Sequence, residues 1–168
     1  ICAEYEKKDN RIKVIHQKNI GVSAARNVGI NTATGIYIQF VDSDDYLEPN
    51  TTEKIVYALN DKVDLIVFSY KKIYQSKGQS IVENHICPIE GIYEKNEFMS
   101  CYGEMHFKKI INSPCNKGYV TKIIKNNNLR FSEDINMGED LLFNLEYIKF
   151  CDCMRVSKDI LYNYINFN

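Results

Sequence analysis

The chain has 168 residues, 45% hydrophobic and 26% charged, with 21 basic and 22 acidic side chains and a formal net charge of −1. That balance excludes a broad nucleic-acid footprint, and the ordinary composition excludes collagen-like and disordered classes. No apolar run approaches the about 20 residues needed to span a bilayer, and the length favours one domain with its own core.

In chain order, the β-branched run Arg11–His16 predicts a short strand. A loop containing Gly21 follows, and Ser23 suits the N-cap of a helix over 24–32 that Gly35 closes. Ile36–Val41 is nearly all apolar, the pattern of a strand buried on both faces. Strand, helix and strand at this spacing predict a βαβ unit with a parallel pair and a right-handed crossover. Beyond Pro49, Asn50 or Thr51 caps a helix to about Asn60, and Val63–Tyr70 reads as another buried strand. Ser76-Lys77-Gly78 is predicted to turn a hairpin between residues 72–74 and 80–82. Helices are expected over Lys95–Tyr102, over Lys117–Lys125 (stopped by Asn126-Asn127-Asn128) and over Glu139–Phe150. Arg155-Val156 and Ile160–Ile165 read as returning strands.

Six cysteines stand at positions 2, 87, 101, 115, 151 and 153, with irregular spacing and no CxxC pair. His16, His85 and His106 are far apart, so the cysteines read as reduced thiols of a cytosolic protein rather than a zinc site or disulfide framework.

Asp42-Ser43-Asp44-Asp45, placed just past an apolar strand, is the most informative segment. In open α/β sheets, ligands bind beyond the carboxyl ends of strands. Asp42 and Asp44 alternate, so both carboxylates can converge on a hard cation such as Mg²⁺ or Mn²⁺. Such an ion completes its shell with phosphate and water. A turn whose aspartates cap the next helix accounts for the spacing equally well. An EF-hand starting at Asp42 reaches Glu53 at its twelfth position, but Tyr46 and Leu47 occupy the fifth and sixth, so that reading fails. No Gly-Lys-Ser/Thr follows a glycine-rich loop, so a P-loop is absent.

Asn19-Ile20-Gly21-Val22-Ser23-Ala24-Ala25-Arg26-Asn27-Val28-Gly29, then Ala33-Thr34-Gly35-Ile36-Tyr37-Ile38, then Phe40-Val41-Asp42-Ser43-Asp44-Asp45 resembles the family-2 inverting glycosyltransferases of the GT-A fold. Downstream, Cys115-Asn116-Lys117-Gly118-Tyr119, Asn128-Leu129-Arg130-Phe131, Gly138-Glu139-Asp140-Leu141-Leu142-Phe143-Asn144 and Leu161-Tyr162-Asn163-Tyr164 look like that family's acceptor half. The resemblance implies an α/β fold with a Rossmann-like mixed sheet flanked by helices. It makes Asp42-Ser43-Asp44 the DxD motif, with Asp42 and Asp44 holding a divalent cation (Mn²⁺ or Mg²⁺) at the donor diphosphate. Asp42 would also lie near the ribose, Arg26 and Asn27 would line the donor pocket, and Asp45 would approach the sugar. Glu139-Asp140 resembles the ED motif, with Asp140 as general base. The plainer account of that pair is two acidic residues stabilising a helix's first turn. The implied partners are a nucleotide-sugar donor, UDP-linked, and a saccharide or lipid-linked acceptor in surface polysaccharide synthesis. The implied location is the cytoplasm, peripheral at the inner face of the membrane.

Family members open with a Pro-Tyr-Asn-like strand end and an Asp-Asp-Gly-Ser-like loop, and neither is present in this sequence. Ile1 would stand in the helix after the second strand, and both ends of the chain read as cut. The expectation is a truncated domain, residues 1–70 carrying the donor and metal part and 71–168 the acceptor part. Such a chain is expected to be inactive alone, and its open sheet edge to invite homo-oligomerisation or strand exchange. Two rivals stand beside this reading. One is a non-catalytic saccharide-binding or assembly module with the same fold. The other is a Mg²⁺-dependent phosphoryl-transfer enzyme, although the haloacid-dehalogenase pattern wants Thr or Val where Asp45 stands. Tyr93, Phe98, Tyr102 and Phe107 either line an acceptor groove or belong to the core. His106 carries no argument for catalysis.

Overall fold

A computed structural model describes residues 1–59, 62–76, 79–135 and 137–167. Helix α1 (Cys2–Lys8) leads into residues 9–20, which form no strand. The strand expected over Arg11–His16 is a correction. A strand needs a hydrogen-bonding neighbour, no described strand lies beside this segment, and Ile12 and Ile15 stay exposed. Helix α2 (Val22–Thr32) is capped by Gly21 rather than Ser23. Ser23 instead faces inward with Ala24, Asn27 and Ile30, the spacing of one helix face.

Strand β1 (Tyr37–Ile38) is only two residues long. Ile38 and Phe40 are buried while Ile36 and Val41 are exposed, so the apolar run has one inward face, not two. The predicted βαβ unit is therefore absent, because no strand at residues 11–16 exists for β1 to lie parallel to. After β2 (Tyr46–Leu47), helix α3 (Thr51–Leu59) buries Thr51, Ile55, Ala58 and Leu59 along one stripe. Asn60, its expected end, lies outside the described residues.

Strand β3 (Leu65–Ser76) joins the predicted buried strand to the first arm of the hairpin. Leu65, Ile66, Val67 and Phe68 are all buried, which marks a strand covered on both faces. It pairs with β4 (Gln79–His85) from Ser76–Gln79 to Tyr70–His85, as the hairpin prediction requires. Lys77 and Gly78 of the predicted turn lie outside the described residues. A short β5 (Gly91–Glu94), not anticipated, leads into α4 (Lys95–Phe107), which runs past the expected Tyr102. Glu94 and Glu97 form a capping box at its start.

The helix predicted over Lys117–Lys125 divides in two. Lys117–Val120 is strand β6, paired with both β1 and β3, and α5 (Thr121–Asn126) starts only where that pairing stops. Helix α6 (Glu139–Ile148) ends two residues short of Phe150. Strand β7 (Cys153–Phe167) is continuous where two strands were expected, with a register shift opposite Phe68–Tyr70.

The strands make one mixed sheet in the order β1-β6-β3-β7-β2, with β4 beside β3 and β5 beside β7. Among the described pairings β3–β7 is parallel and the rest are antiparallel. This is the α/β fold with a mixed sheet flanked by helices that the resemblance implies. Strands from both sides of residue 70 share it.

Close packing at the sheet centre dictates one residue. A Cβ on Gly118 would lie 2.6 Å from Ile55 Cγ2 and 2.9 Å from Ile66 Cγ2. Gly118→Ala is therefore expected to cost about 1–3 kcal/mol of stability through overpacking. A urea midpoint equal to the wild type's would refute it.

Candidate active site

The site is built around Arg26 on α2. Its side chain is 10% exposed and lies over the Phe131 ring, 5.2 Å from the centroid. Nη2 donates to Asp42 Oδ1 at 2.9 Å, and Nη1 donates to Asp140 Oδ1 at 2.5 Å. One planar guanidinium thus joins the acidic loop to the first turn of α6. Burial works against its charge, but Asp140 and Asp42 outweigh that and hold its pKa above the ordinary arginine range.

Aromatic packing holds this arginine in place. Phe131 stacks on Phe143 of α6 at 4.0 Å between centroids, and the edge of Phe40 meets both. Asn27 ties the Phe131 segment to α2: its amide donates to Phe131 O and Glu133 Oε1, and its Oδ1 accepts the Phe131 N–H.

Asp140 owes its place to its own helix. Gly138, the N-cap, has φ 93° in the left-handed region, which a side chain would strain. One turn further, Asn144 is buried and fixed from three sides. Its amide donates to Ile111 O and Asn112 O, and its Oδ1 accepts from the Tyr119 hydroxyl at 2.6 Å. Burial raises the Asp140 pKa above 3.8; Arg26 pulls it down, and Glu139 and Asp42 push it up further.

Two cavities meet at this ion pair. One, of about 450 Å³, is lined by Val22, Ala25, Arg26, Phe40 and residues 41–44. The other, of about 420 Å³, is lined by Asn112, Ser113 and residues 137–141. Asp42 and Arg26 wall the first and Asp140 and Glu139 the second, so the two motifs face separate spaces across one guanidinium.

Residues 1–127 match the family model for Glycosyl transferase family 2. The chain belongs to this family. It is 32% identical over 166 residues to the putative glycosyltransferase EpsH of Bacillus subtilis (strain 168), covering 98% of this chain and 47% of that protein. It is 30% identical over 141 residues to the minor teichoic acid biosynthesis protein GgaB of the same organism, covering 83% of this chain and 15% of that one. The crystal structure of S. aureus TarS 1-349 superposes with a TM-score of 0.75 at 23% identity, covering 97% of this chain and 46% of that one. At that identity the likeness speaks for the fold alone, and the GT-A architecture expected above is the one found. The chain spans about half the length of the curated relatives EpsH and EpsJ.

Within this family 2 chain, the remaining candidates divide by what they touch. Asp44 and Ser43 are exposed on the first cavity. Asp45 is engaged on both carboxylate oxygens, by the Tyr162 hydroxyl at 2.6 Å and by the Ile165 N–H at 2.8 Å. Burial raises its pKa and outweighs those two hydrogen bonds.

Two contacts of the acidic loop and one of Arg26 were not anticipated. The Tyr162 hydroxyl also accepts the Asp42 N–H at 3.1 Å, so one fully buried side chain fastens the loop at both ends. Cys115 Sγ donates to Asp42 Oδ2 at 3.6 Å, and burial pushes this thiol up to about 11. Phe131 carries Arg26. Tyr162 stands in the Leu161–Tyr164 segment that resembles the family, and the period of two along β7 places it on the same face as Tyr164, but neither signal points to the acidic loop. Tyr162→Phe removes the loop's clasp and is expected to cost about 1–2 kcal/mol, read as a lower melting temperature; an unchanged one would contradict the assignment.

Lys117 underpins the second cavity. It is fully buried, and Nζ donates to Ile110 O, Ser113 O and Asn116 Oδ1. Burial pushes its ammonium down to about 7. Of the four aromatic candidates, Phe98 is core, Tyr93 and Tyr102 pack partly against it, and Phe107 is exposed. Among the described residues no third His, Cys, Asp or Glu joins Asp42 and Asp44 in a metal-sized cluster. The pair offers hard oxygen donors beside an open cavity, which fits a hard cation that takes its remaining ligands from phosphate and water. None of the described helices is long and apolar enough to cross a membrane.

Proposed function

We propose that the chain is a catalytic portion of an enzyme that transfers a sugar from a UDP-linked donor to a hydroxyl of a saccharide or lipid-linked acceptor, with inversion, in building surface polysaccharide. The observation that carries the reading is Arg26 held between Asp42 and Asp140, because it sets a donor-side and an acceptor-side carboxylate on opposite sides of one fixed cation. The family assignment supports sugar transfer, and a relative bearing on teichoic acid biosynthesis supports the polymer class. A UDP donor is supported by the matching fold of TarS 1-349 in complex with UDP-GlcNAc.

In this mechanism the donor diphosphate lies along the first cavity, and the acceptor enters the second. Asp42 and Asp44 are the residues that would hold Mn²⁺ or Mg²⁺. A bound divalent ion neutralises the charge that builds on the departing diphosphate. Asp140 accepts the proton of the acceptor hydroxyl as that oxygen attacks the anomeric carbon from the face away from the leaving group. A single base and a single displacement give inversion. Glu139, beside it in the first turn of α6, adds negative charge that keeps Asp140 basic. Arg26 holds the two carboxylates in place on either side of it, and its guanidinium is placed to meet diphosphate oxygens.

The test uses the protein expressed from its full reading frame. Incubated with UDP-sugars, an acceptor panel and Mn²⁺, it is expected to release UDP and form glycoside. EDTA is expected to stop the release and added Mn²⁺ to restore it. An α-linked donor is expected to give a β-linked product by NMR. Release unaffected by EDTA would overturn the metal role, and a retained configuration the single displacement.

A further inference from the structure

We propose that the cavity between β4 and the end of α4 is a saccharide subsite, holding a neutral sugar unit of the acceptor away from the reacting hydroxyl. This inference rests on the reading of the chain as a glycosyltransferase. The cavity, of about 410 Å³, is lined by residues 83–86 and 107–109 and lies outside the site described above.

Its chemistry is that of a sugar ring, which presents a C–H face and a rim of hydroxyls. Phe107 supplies an aromatic face that is 85% exposed, a poor place for a phenyl ring with nothing to cover it. Around it stand hydrogen-bonding groups of both kinds: Glu83 and Asn84 accept, and Lys108 and Lys109 donate. His85 is the most telling of them. Its side chain is only 10% exposed, and Nε2 has no hydrogen-bond partner although Glu83 Oε1 lies 3.2 Å away. The nitrogen is shielded from water, and a ligand hydroxyl would reach it as the exposed Glu83 side chain moves aside.

The neutral class follows from the charges. Glu83 lies in the cavity, Lys108 is paired with Glu104, and the carbonyl end of α4 points its negative pole here. Together these offset Lys109, the remaining cation of the lining, and leave little net charge to draw an anionic ligand. Lys109 stands at φ 62°, a left-handed position after α4 where glycine is the unstrained residue, yet a lysine is kept there.

The cavity is also wired to the acceptor side of the active site. Lys109 begins the loop that continues through Ile110 to Asn112 and Ser113, which line the Asp140 cavity. Tyr70 stacks on His85 at 4.5 Å and meets the edge of Tyr164, whose hydroxyl hydrogen-bonds Ser113 Oγ. One rigid wall therefore serves both spaces, and an extended acceptor can run along it.

The experiment is an array of bacterial surface-polysaccharide fragments, neutral and phosphate-bearing, from one to six sugars, probed with the protein expressed from its full reading frame. Retention on neutral fragments of three or more sugars is expected, with Phe107→Ala and Lys109→Gly each weakening it about tenfold. Lys109→Gly relieves backbone strain, so it is expected to melt no lower than the wild type and its loss of binding cannot be misfolding. Absence of retention, retention on phosphate-bearing fragments alone, or retention indifferent to both variants would each overturn the subsite. UDP release with Mn²⁺ in the same preparation separates the two readings. Transfer without array binding sinks the subsite alone, and array binding without transfer sinks the transferase reading alone.

Discussion

Replacing Asp140 with Asn is expected to lower kcat by about 10²–10⁴-fold, the usual contribution of a positioned base, while donor binding survives. The amide keeps the shape of the carboxylate and an oxygen for Arg26 Nη1, so the effect isolates proton acceptance. In the wild type the rate should fall as pH drops, because a protonated Asp140 cannot take the acceptor's proton. Burial places that acid limb above the ordinary 3.8, although Arg26 pulls it down. In Asp140→Asn the limb should vanish. A variant that kept the wild-type kcat, or the same acid limb, would remove Asp140 from the chemistry.

Arg26→Met is expected to move that same acid limb rather than abolish it. The methionine can still pack on Phe131, but Asp42 and Asp140 lose the cation between them. Arg26 lowers the Asp140 pKa, so its removal should raise that pKa, and the acid limb should move to higher pH. Stability should fall by about 2 kcal/mol, since two part-buried carboxylates are left without their donor. Donor affinity should fall as well. A limb that moved to lower pH would show that Arg26 does not control Asp140. A Met variant as stable as the wild type would show that the pair is not a structural tie.

The candidate site residues were legible because they sit in short motifs. Asp42, Asp44, Glu139 and Asp140 are read from a few adjacent letters, and Arg26 and Asn27 from the helix that precedes the acidic loop. Their neighbours were not legible, for a physical reason. Tyr162 meets Asp42 across 120 positions, and Asn27 meets Phe131 across 104, separations that no local period encodes. The fold was misread where local preference and pairing disagree. Ile36–Val41 and Arg11–His16 are equally β-branched, but only Tyr37–Ile38 found a ladder partner, in β6. Lys117–Lys125 is predicted as one helix, yet Gly118, Tyr119 and Val120 suit a strand, and two neighbours in the sheet make Lys117–Val120 one. Where the pattern and the pairing agree, as in Leu65–Phe68 and the β3–β4 hairpin, the reading and the structure coincide.

The parallel pairing of β3 with β7 sets the order in which this molecule can be assembled. Its partners, such as Leu65 and Met154, are separated by roughly 90 positions, so the central ladder closes a long loop before any of its contacts repay the lost chain entropy. The acidic loop is clasped by Tyr162 and Ile165 of that same late strand. During synthesis Asp42 and Asp45 therefore emerge well before the strand that clasps their loop, and the loop gains that clasp only once β7 has docked.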